Sequence, residues 1–361
     1  MTSTKKACNF NWLHVRRVAE RVPCAFCFFI GGRGTGKTFN ALKDHREDFV
    51  AGNAGGLMYT RITQKQLDTC ADPADNPYFE INLKYDTKVT FESKGGKSDA
   101  YDIIDATDED NPVTIGEGRS LASFHDLRGV NFTHIKEWYF DEFIPTENVR
   151  RTPEIKRAGY LFSQAYETVN RNRELFGEPP VKVIFTANAF SLDSSILAWF
   201  GLIDVIQTMQ RKGQKRYTDR ERSIYIELCE SNEISEAKRK TVLYRACSNN
   251  QQFIKTNIEN KFDDVALYAT KRDIAWIEYE PLVNFDNQIT IYRHKSTGAL
   301  HIARKADKNA ADCFTRDMRG RMLTKWGSVV RMGMFDRRIT FDSADTYYMT
   351  DTIFDKSVKS L

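Results

Sequence analysis

The run Gly31-Gly32-Arg33-Gly34-Thr35-Gly36-Lys37-Thr38 follows an apolar stretch, Cys24 to Ile30, and precedes a helical pattern over Thr38 to Val50. Its spacing, G-x-x-x-x-G-K-[ST], is that of a phosphate-binding loop. Glycines there let backbone N–H groups curl around phosphate oxygens, and the following helix adds the positive end of its dipole. Lys37 is placed to reach β- and γ-phosphates and Thr38 to ligate a metal, so ATP with Mg2+ is the expected pair of ligands. The glycines at 32, 34 and 36 lack the G-x-G-x-x-G spacing of a dinucleotide site.

A second constellation lies about a hundred residues on. Glu137-Trp138-Tyr139-Phe140-Asp141-Glu142 reads as an apolar strand closing on two carboxylates. Asp141 would hold Mg2+ through water and Glu142 would polarise the attacking water. That adjacent glutamate argues for hydrolysis rather than for phosphoryl transfer to a small acceptor. Val183 to Asn188 is another apolar strand, with Asn188 at its end as either a γ-phosphate sensor or a turn former. Arg171, in Asn170-Arg171-Asn172-Arg173, ends a helix just before that strand. Its guanidinium could neutralise transition-state charge on a neighbouring subunit's ATP, or simply complement a helix dipole.

Strands and helices that alternate through the first two hundred residues must position these groups, which predicts a mostly parallel sheet covered on both faces. Strands are expected at Cys24 to Ile30, Gly56 to Arg61, through Phe140, and at Val181 to Thr186. Helices are expected over Lys65 to Cys70, Glu154 to Arg173 and Ser194 to Phe200. Phe79 to Ile104 reads as a polar hairpin region. Ser98 to Asn111, with six acids and no base, reads as a solvated loop. Arg211 to Arg222, with six bases and two acids, reads as an exposed linker or basic arm. Beyond Asn249 the pattern becomes strand-rich, with Ile274 to Tyr279, then Gln288 to His294 turning into Ala299 to Arg304, and a helix near Ala311 to Trp326. The expected division is an ATPase domain at 1–205, a linker domain at 206–248 and a C-terminal α+β domain at 249–361.

The composition belongs to a globular chain: 361 residues, 41% apolar, 28% charged. The net charge of +4 announces no polyanion by itself, so any such contact must be local. Seven scattered cysteines fit a reducing compartment. Cys24 and Cys27 are read as buried strand residues rather than as a redox or zinc pair. The longest apolar run falls short of the ~20 residues of a bilayer span, and Met1 to Phe10 lacks an export signature, so no membrane association is expected.

FIGGRGTGKTFNA, WYFDEFIP and VNRNRELFGEPPVKVIFTANAF, in this order and spacing, resemble the genome-packaging ATPases of phi29-type bacteriophages, relatives of the large terminase subunits. The likeness covers about Ala25 to Asp204 and fades to echoes such as Asn250 to Ile254. It implies an ASCE-type P-loop domain, a small linker domain and a C-terminal RNase H-like domain of vestigial-nuclease type. It also implies a homopentameric ring that drives double-stranded DNA into a procapsid, docked on the portal through a packaging RNA. Such a motor would work in the host cytoplasm, transiently at the portal vertex, and be absent from the mature virion. Carried over by residue, Lys37 and Thr38 are Walker A, Asp141 and Glu142 are Walker B, and Arg171 is the trans-acting finger. Arg128 falls where the family has a basic residue tied to nucleotide exchange or intersubunit signalling. Gln64 stands where a basic residue facing ATP is implied, leaving Lys65 or Arg61 as substitutes.

The expected central hairpin of the last domain, Gln288 to Arg304, carries no Asp or Glu, whereas a two-metal nuclease needs several converging carboxylates. A non-cutting domain is therefore expected. Arg304 to Arg338 holds ten bases and four acids interleaved with aromatics, a candidate surface for packaging RNA, portal or DNA. Arg150, Arg151, Lys156 and Arg157 are candidates to line a DNA path. A P-loop kinase and a nucleotide-gated RNA- or portal-binding adaptor are the alternative functions.

Overall fold

The computed structural model describes residues 12–96, 99–126, 130–145, 152–188, 192, 194–229, 232–249, 270, 274–336 and 338–355. They form two compact units whose segments interleave along the chain. The first draws on Met1–Asn148, Leu161–Ser191 and Lys212–Asp263, the second on Val149–Tyr160, Leu192–Arg211 and Asp264–Leu361.

The first unit is built on a sheet of β1 (Phe26–Gly31), β2 (Gly56–Arg61), β3 (Val89–Ser93), β4 (Ala100–Asp105), β5 (Val113–Ser120), β6 (Ile135–Asp141), β7 (Lys182–Asn188), β8 (Arg216–Asp219) and β9 (Ile224–Cys229). The strand order is β3-β4-β5-β2-β6-β7-β1-β9-β8. The run from β5 to β9 is parallel throughout, and only the edges are antiparallel. Strands buried on both faces should be apolar throughout, and β1 is: Cys27, Phe28, Phe29 and Ile30 are all buried. Phe28 stacks on Phe185 of the neighbouring strand with ring centroids 4.3 Å apart. Cys24 and Cys27 are buried free thiols, and burial pushes Cys27 up to about 12.

The second unit carries β10 (Tyr279–Phe285), β11 (Ile289–His294), β12 (Leu300–Ala303), β13 (Asp312–Phe314) and β14 (Ile339–Phe341). β10, β11 and β12 form an antiparallel meander, with β13 added parallel to β10 and β14 parallel to β12. Helices Arg319–Phe335 and Ala344–Phe354 bury Met322, Val330, Ile353 and Phe354 in the same core as Ile291, Ile302 and Phe341. The unit is α+β, the class expected of the C-terminal domain.

Several segments differ from their sequence reading. The expected linker at 206–248 is not one body: helix Ile203–Arg211 falls in the second unit, and the β8–β9 hairpin falls in the first. Of the six basic residues, Arg211 ends that helix, Lys212 and Lys215 precede β8, and Arg216, Arg220 and Arg222 lie in β8 and the turn, while all six residues of β9 are buried beside β1. Strand β4 runs through the acidic stretch read as a loop, and its Asp105 is buried in an ion pair with Arg46 at 2.7 Å. A helix, Phe79–Tyr85, precedes the β3–β4 hairpin. The helix expected over Glu154 to Arg173 is broken between Lys156 and Ala158. The strand expected at Ile274 to Tyr279 begins only at Tyr279. The helix expected from Ala311 starts at Arg319, because Asp312–Phe314 is drawn into the sheet.

The helix that follows the phosphate loop, Lys37–Val50, is anchored by His45, which is buried and hydrogen-bonds through Nε2 to the Gly55 carbonyl at 2.9 Å. Burial lowers the His45 pKa to about 4, with Arg16 acting in the same sense. Between the ordinary histidine value of about 6.5 and this one, the unfolded chain takes up a proton that the folded chain refuses, so stability falls as pH falls through that window. At about 1.4 kcal/mol per pH unit, thermal unfolding of the native protein should lose about 3 kcal/mol relative to a His45→Gln variant between pH 6.5 and 4. Parallel pH profiles of the two proteins would contradict this.

Candidate functional site

The carboxyl ends of β1, β6 and β7 meet along one edge of the parallel sheet, where ligands of open α/β sheets bind. Gly31 pairs with Asn188 on one side and Cys229 on the other, and Asp141 pairs with Thr186. The phosphate loop and the Asp141 strand are therefore separated by one strand, β7, whose end is Asn188.

The loop's glycines have distinct reasons. A Cβ on Gly31 would stand 2.2 Å from the Cys229 carbonyl oxygen, so only glycine lets β1 lie this close to β9 here. Gly36 caps the helix Lys37–Val50 with φ at +86°, a left-handed conformation that side chains disfavour. Gly34 is also left-handed, at +67°. On the near side the loop is pinned by the Leu13 N–H, which donates to the Thr35 carbonyl at 3.1 Å.

Lys37 is buried inside this loop. Its ammonium donates to the carbonyls of Gly32 (2.8 Å) and Gly31 (3.1 Å) and to Thr35 Oγ1 (3.3 Å). Burial lowers its pKa, opposed by Cys229 and Asp141. A phosphate brought into the cradle would meet a cation whose present partners are neutral oxygens, the weaker type of acceptor.

Asp141 is the hub. Its Oδ1 accepts from Thr186 Oγ1 at 2.7 Å, from Thr38 Oγ1 at 3.3 Å and from the Glu142 N–H at 3.1 Å. Its Oδ2 accepts from Arg61 at 2.9 Å and from the Tyr59 hydroxyl at 3.1 Å. Arg61 also donates to Glu142, so one guanidinium spans both carboxylates. Burial acts to lower the Arg61 pKa, but Asp141, Tyr59 and Glu142 outweigh it and hold the side chain firmly charged. Glu142 itself has φ at +52°, a left-handed backbone rare for a glutamate, and its side chain is 41% exposed. Residues held so commonly mark functional sites, since the surrounding structure must enforce them.

Of the residues singled out from sequence, Lys37, Thr38, Asp141 and Glu142 come together, and Asn188 lies beside Gly31. The basic residue at the carboxylates is Arg61. Gln64 is engaged with Asp68 at 2.7 Å, and Lys65 is exposed. Arg128, Arg150 and Arg151 lie outside the described residues. Arg171 is not brought to this chain's own site. It follows helix Ala158–Asn170 with φ at +48° and donates to the Val130 carbonyl, ahead of β6. Its neighbour Asn170 accepts from the Val181 N–H at 2.8 Å, at the start of β7. The seven-residue β7 then separates Arg171 from the catalytic edge by about 20 Å at the usual strand rise.

Sequence reasoning missed Lys238. From helix Asn232–Arg239 its ammonium donates to the carbonyl of Arg33, and it lies 3.5 Å from where a Gly34 Cβ would stand. Burial and the nearby Arg33 lower its pKa. Within a run of alternating charges it reads as one more solvated helix residue.

The whole chain superposes on two solved motors. The Phi-28 gp11 DNA packaging motor matches with a TM-score of 0.66 and 16% identity, covering 97% of this chain and 98% of that one. The chain has the fold of this packaging motor. The bacteriophage Phi-29 viral genome packaging motor assembly matches with a TM-score of 0.58 and 16% identity, covering 95% and 99%. No protein-family model and no curated protein matches the sequence. Both units of the chain, not only its phosphate-loop half, thus fall within the packaging-motor fold.

Lys238 gives this site a direct test. If its ammonium passes from the Arg33 carbonyl to a bound phosphate, the charged hydrogen bond gained contributes ~1.5–3 kcal/mol, so Lys238→Ala should weaken ATP affinity by equilibrium dialysis about tenfold or more. Unchanged affinity would confine Lys238 to holding the loop backbone.

Proposed function

We propose that this protein is an ATP-hydrolysing motor that translocates double-stranded viral DNA into a procapsid. The observation that carries the reading is the convergence of Lys37, Thr38, Asp141 and Glu142 on one sheet edge, in a chain that has the packaging-motor fold from end to end. Thr38 hydroxyl and Asp141 carboxylate, 3.3 Å apart, are hard oxygen donors of the kind Mg2+ takes together with water and phosphate oxygens. Bound there, Mg2+ would neutralise charge building on the β- and γ-phosphates.

The chain's own groups divide the remaining work. Lys37 exchanges the carbonyls of Gly31 and Gly32 for the phosphates, while Gly32 to Gly36 wrap them with backbone N–H groups. Glu142, exposed beside the buried Asp141, orients water for in-line attack and draws its proton. Arg61 bridges the two carboxylates and fixes their relative position. Asn188, beside Gly31, is the polar group at the end of the intervening strand. Arg171, remote from its own site, acts on the ATP of a neighbouring copy, which requires a ring; five subunits, a portal and a packaging RNA follow from the resemblance. The second unit grips or docks and does not cut, since the β11–β12 hairpin supplies no carboxylate.

The reading is tested by following ATP turnover with and without linear DNA and procapsids, using protection of DNA from DNase as the packaging readout. The native protein should hydrolyse ATP faster with both present and protect the DNA. Glu142→Gln should bind ATP yet neither hydrolyse nor package. DNA-independent phosphoryl transfer to a small acceptor would instead identify a kinase, and ATP binding without turnover a gated adaptor. Mixing Arg171→Ala subunits with Glu142→Gln subunits should restore part of the turnover; no rescue at any ratio counts against a finger acting in trans.

A further inference from the structure

Two basic stretches far apart in sequence, one around Lys156 and Arg157 and one beginning at Arg304, meet in the second unit. They face a single cavity of about 700 Å3. It lies within the range of about 300–1,000 Å3 that small-ligand sites occupy. Four cations, Lys156, Arg157, Arg304 and Arg316, line it against one carboxylate, Asp351. Lys156 is bound to Asp355, and Arg316 to Asp286 at 3.3 Å. The other two arginines retain unused capacity. Among the described residues, the Nε of Arg157 is buried without a hydrogen-bond partner, and the Arg304 guanidinium makes no ion pair.

One wall is aromatic. The Arg157 guanidinium lies 5.3 Å from the centroid of the Tyr160 ring, and Tyr160 meets Trp199 edge to face at 6.0 Å and 74°. Trp199 remains 54% exposed. Its backbone is fixed by a close approach to Gly159, where a Cβ would stand 2.5 Å from the tryptophan's own. Asn287 also lines the cavity, from a tight turn in which Asp286 and Asn287 have φ of +50° and +55°, the left-handed pair of a type I′ hairpin. Guanidinium groups without a carboxylate partner fit phosphate, an exposed ring beside them fits the face of a base, and a side-chain amide fits a base edge.

We propose that this cavity is a site for an unpaired nucleotide of a single-stranded nucleic acid, with its phosphate on Arg157 and Arg304 and its base against Tyr160 and Trp199. The volume admits about one or two nucleotides, and a base inside a duplex has both faces covered by its stacked neighbours, so a duplex interior is excluded from it. Phosphorylated bases also come as free mononucleotides, which share the chemistry but lack the neighbouring phosphates that the remaining cations would contact. All the residues belong to the second unit, whereas the phosphate loop belongs to the first. Lys156 and Arg157, expected along a DNA path, line this cavity.

The test uses the full-length protein and fluorescence anisotropy with a labelled twelve-nucleotide RNA, the same DNA single strand, and its duplex, each across a salt series. Single strands should bind, and Trp199→Ala should weaken them about tenfold while Trp199→Phe restores them. Arg157→Ala with Arg304→Ala should weaken them at least as much and reduce the salt slope by about two. Duplex binding and ATP turnover should be unmoved by all of these changes, which also reports that the variants are folded. Single-strand affinity unaffected by both sets of changes would overturn the proposal. So would equal sensitivity of the duplex, or a free nucleoside monophosphate binding as tightly as the strand.

Discussion

Asp141 is a buried carboxylate that cannot exist without the groups around it. Taking a charge out of water costs several kcal/mol unless it is paired and fully hydrogen-bonded, and here the compensation arrives from three directions. Thr38 comes from the helix after the phosphate loop, Tyr59 and Arg61 from β2, and Thr186 from β7. Removing any of them leaves part of a buried charge unanswered. The parallel order β2-β6-β7-β1 therefore does more than stack apolar strands: it is the arrangement in which one acid can be held by both neighbouring strands and still touch the loop two strands away.

The same constraint explains Glu142. With Asp141 fixed by its partners, the next residue must turn sharply, and it does so with a left-handed backbone whose N–H closes onto Asp141. The turn leaves the glutamate side chain exposed where water enters, while Arg61 tethers it to its neighbour. Two adjacent carboxylates thus differ sharply in burial, Asp141 enclosed and Glu142 exposed.

The core of this site was legible in the sequence because it is local. The glycine spacing before Lys37-Thr38 and the apolar run before Asp141-Glu142 each encode a strand and what must follow it. What escaped was contributed by residues whose role exists only after folding. Arg61 ends an ordinary strand, and Lys238 sits in a charged helix that could face water equally well. Strand β9 was hidden because the basic residues ahead of it dominate the composition, although Ile224-Tyr225-Ile226 is as apolar as any strand of the core. In the second unit the sheet was foreseen better than its use, since neither Arg157 nor Arg304 signals that they share a cavity.

The claim at the centre of this account is that the charge on Asp141, rather than its shape, organises nucleotide hydrolysis. Steady-state ATP turnover of the isosteric Asp141→Asn variant, with Mg2+ titrated, measures it most directly. The account predicts a folded protein that still binds ATP, with turnover lower by on the order of 10²–10³ and a raised Mg2+ requirement. Near-native turnover at an unchanged Mg2+ requirement would contradict it.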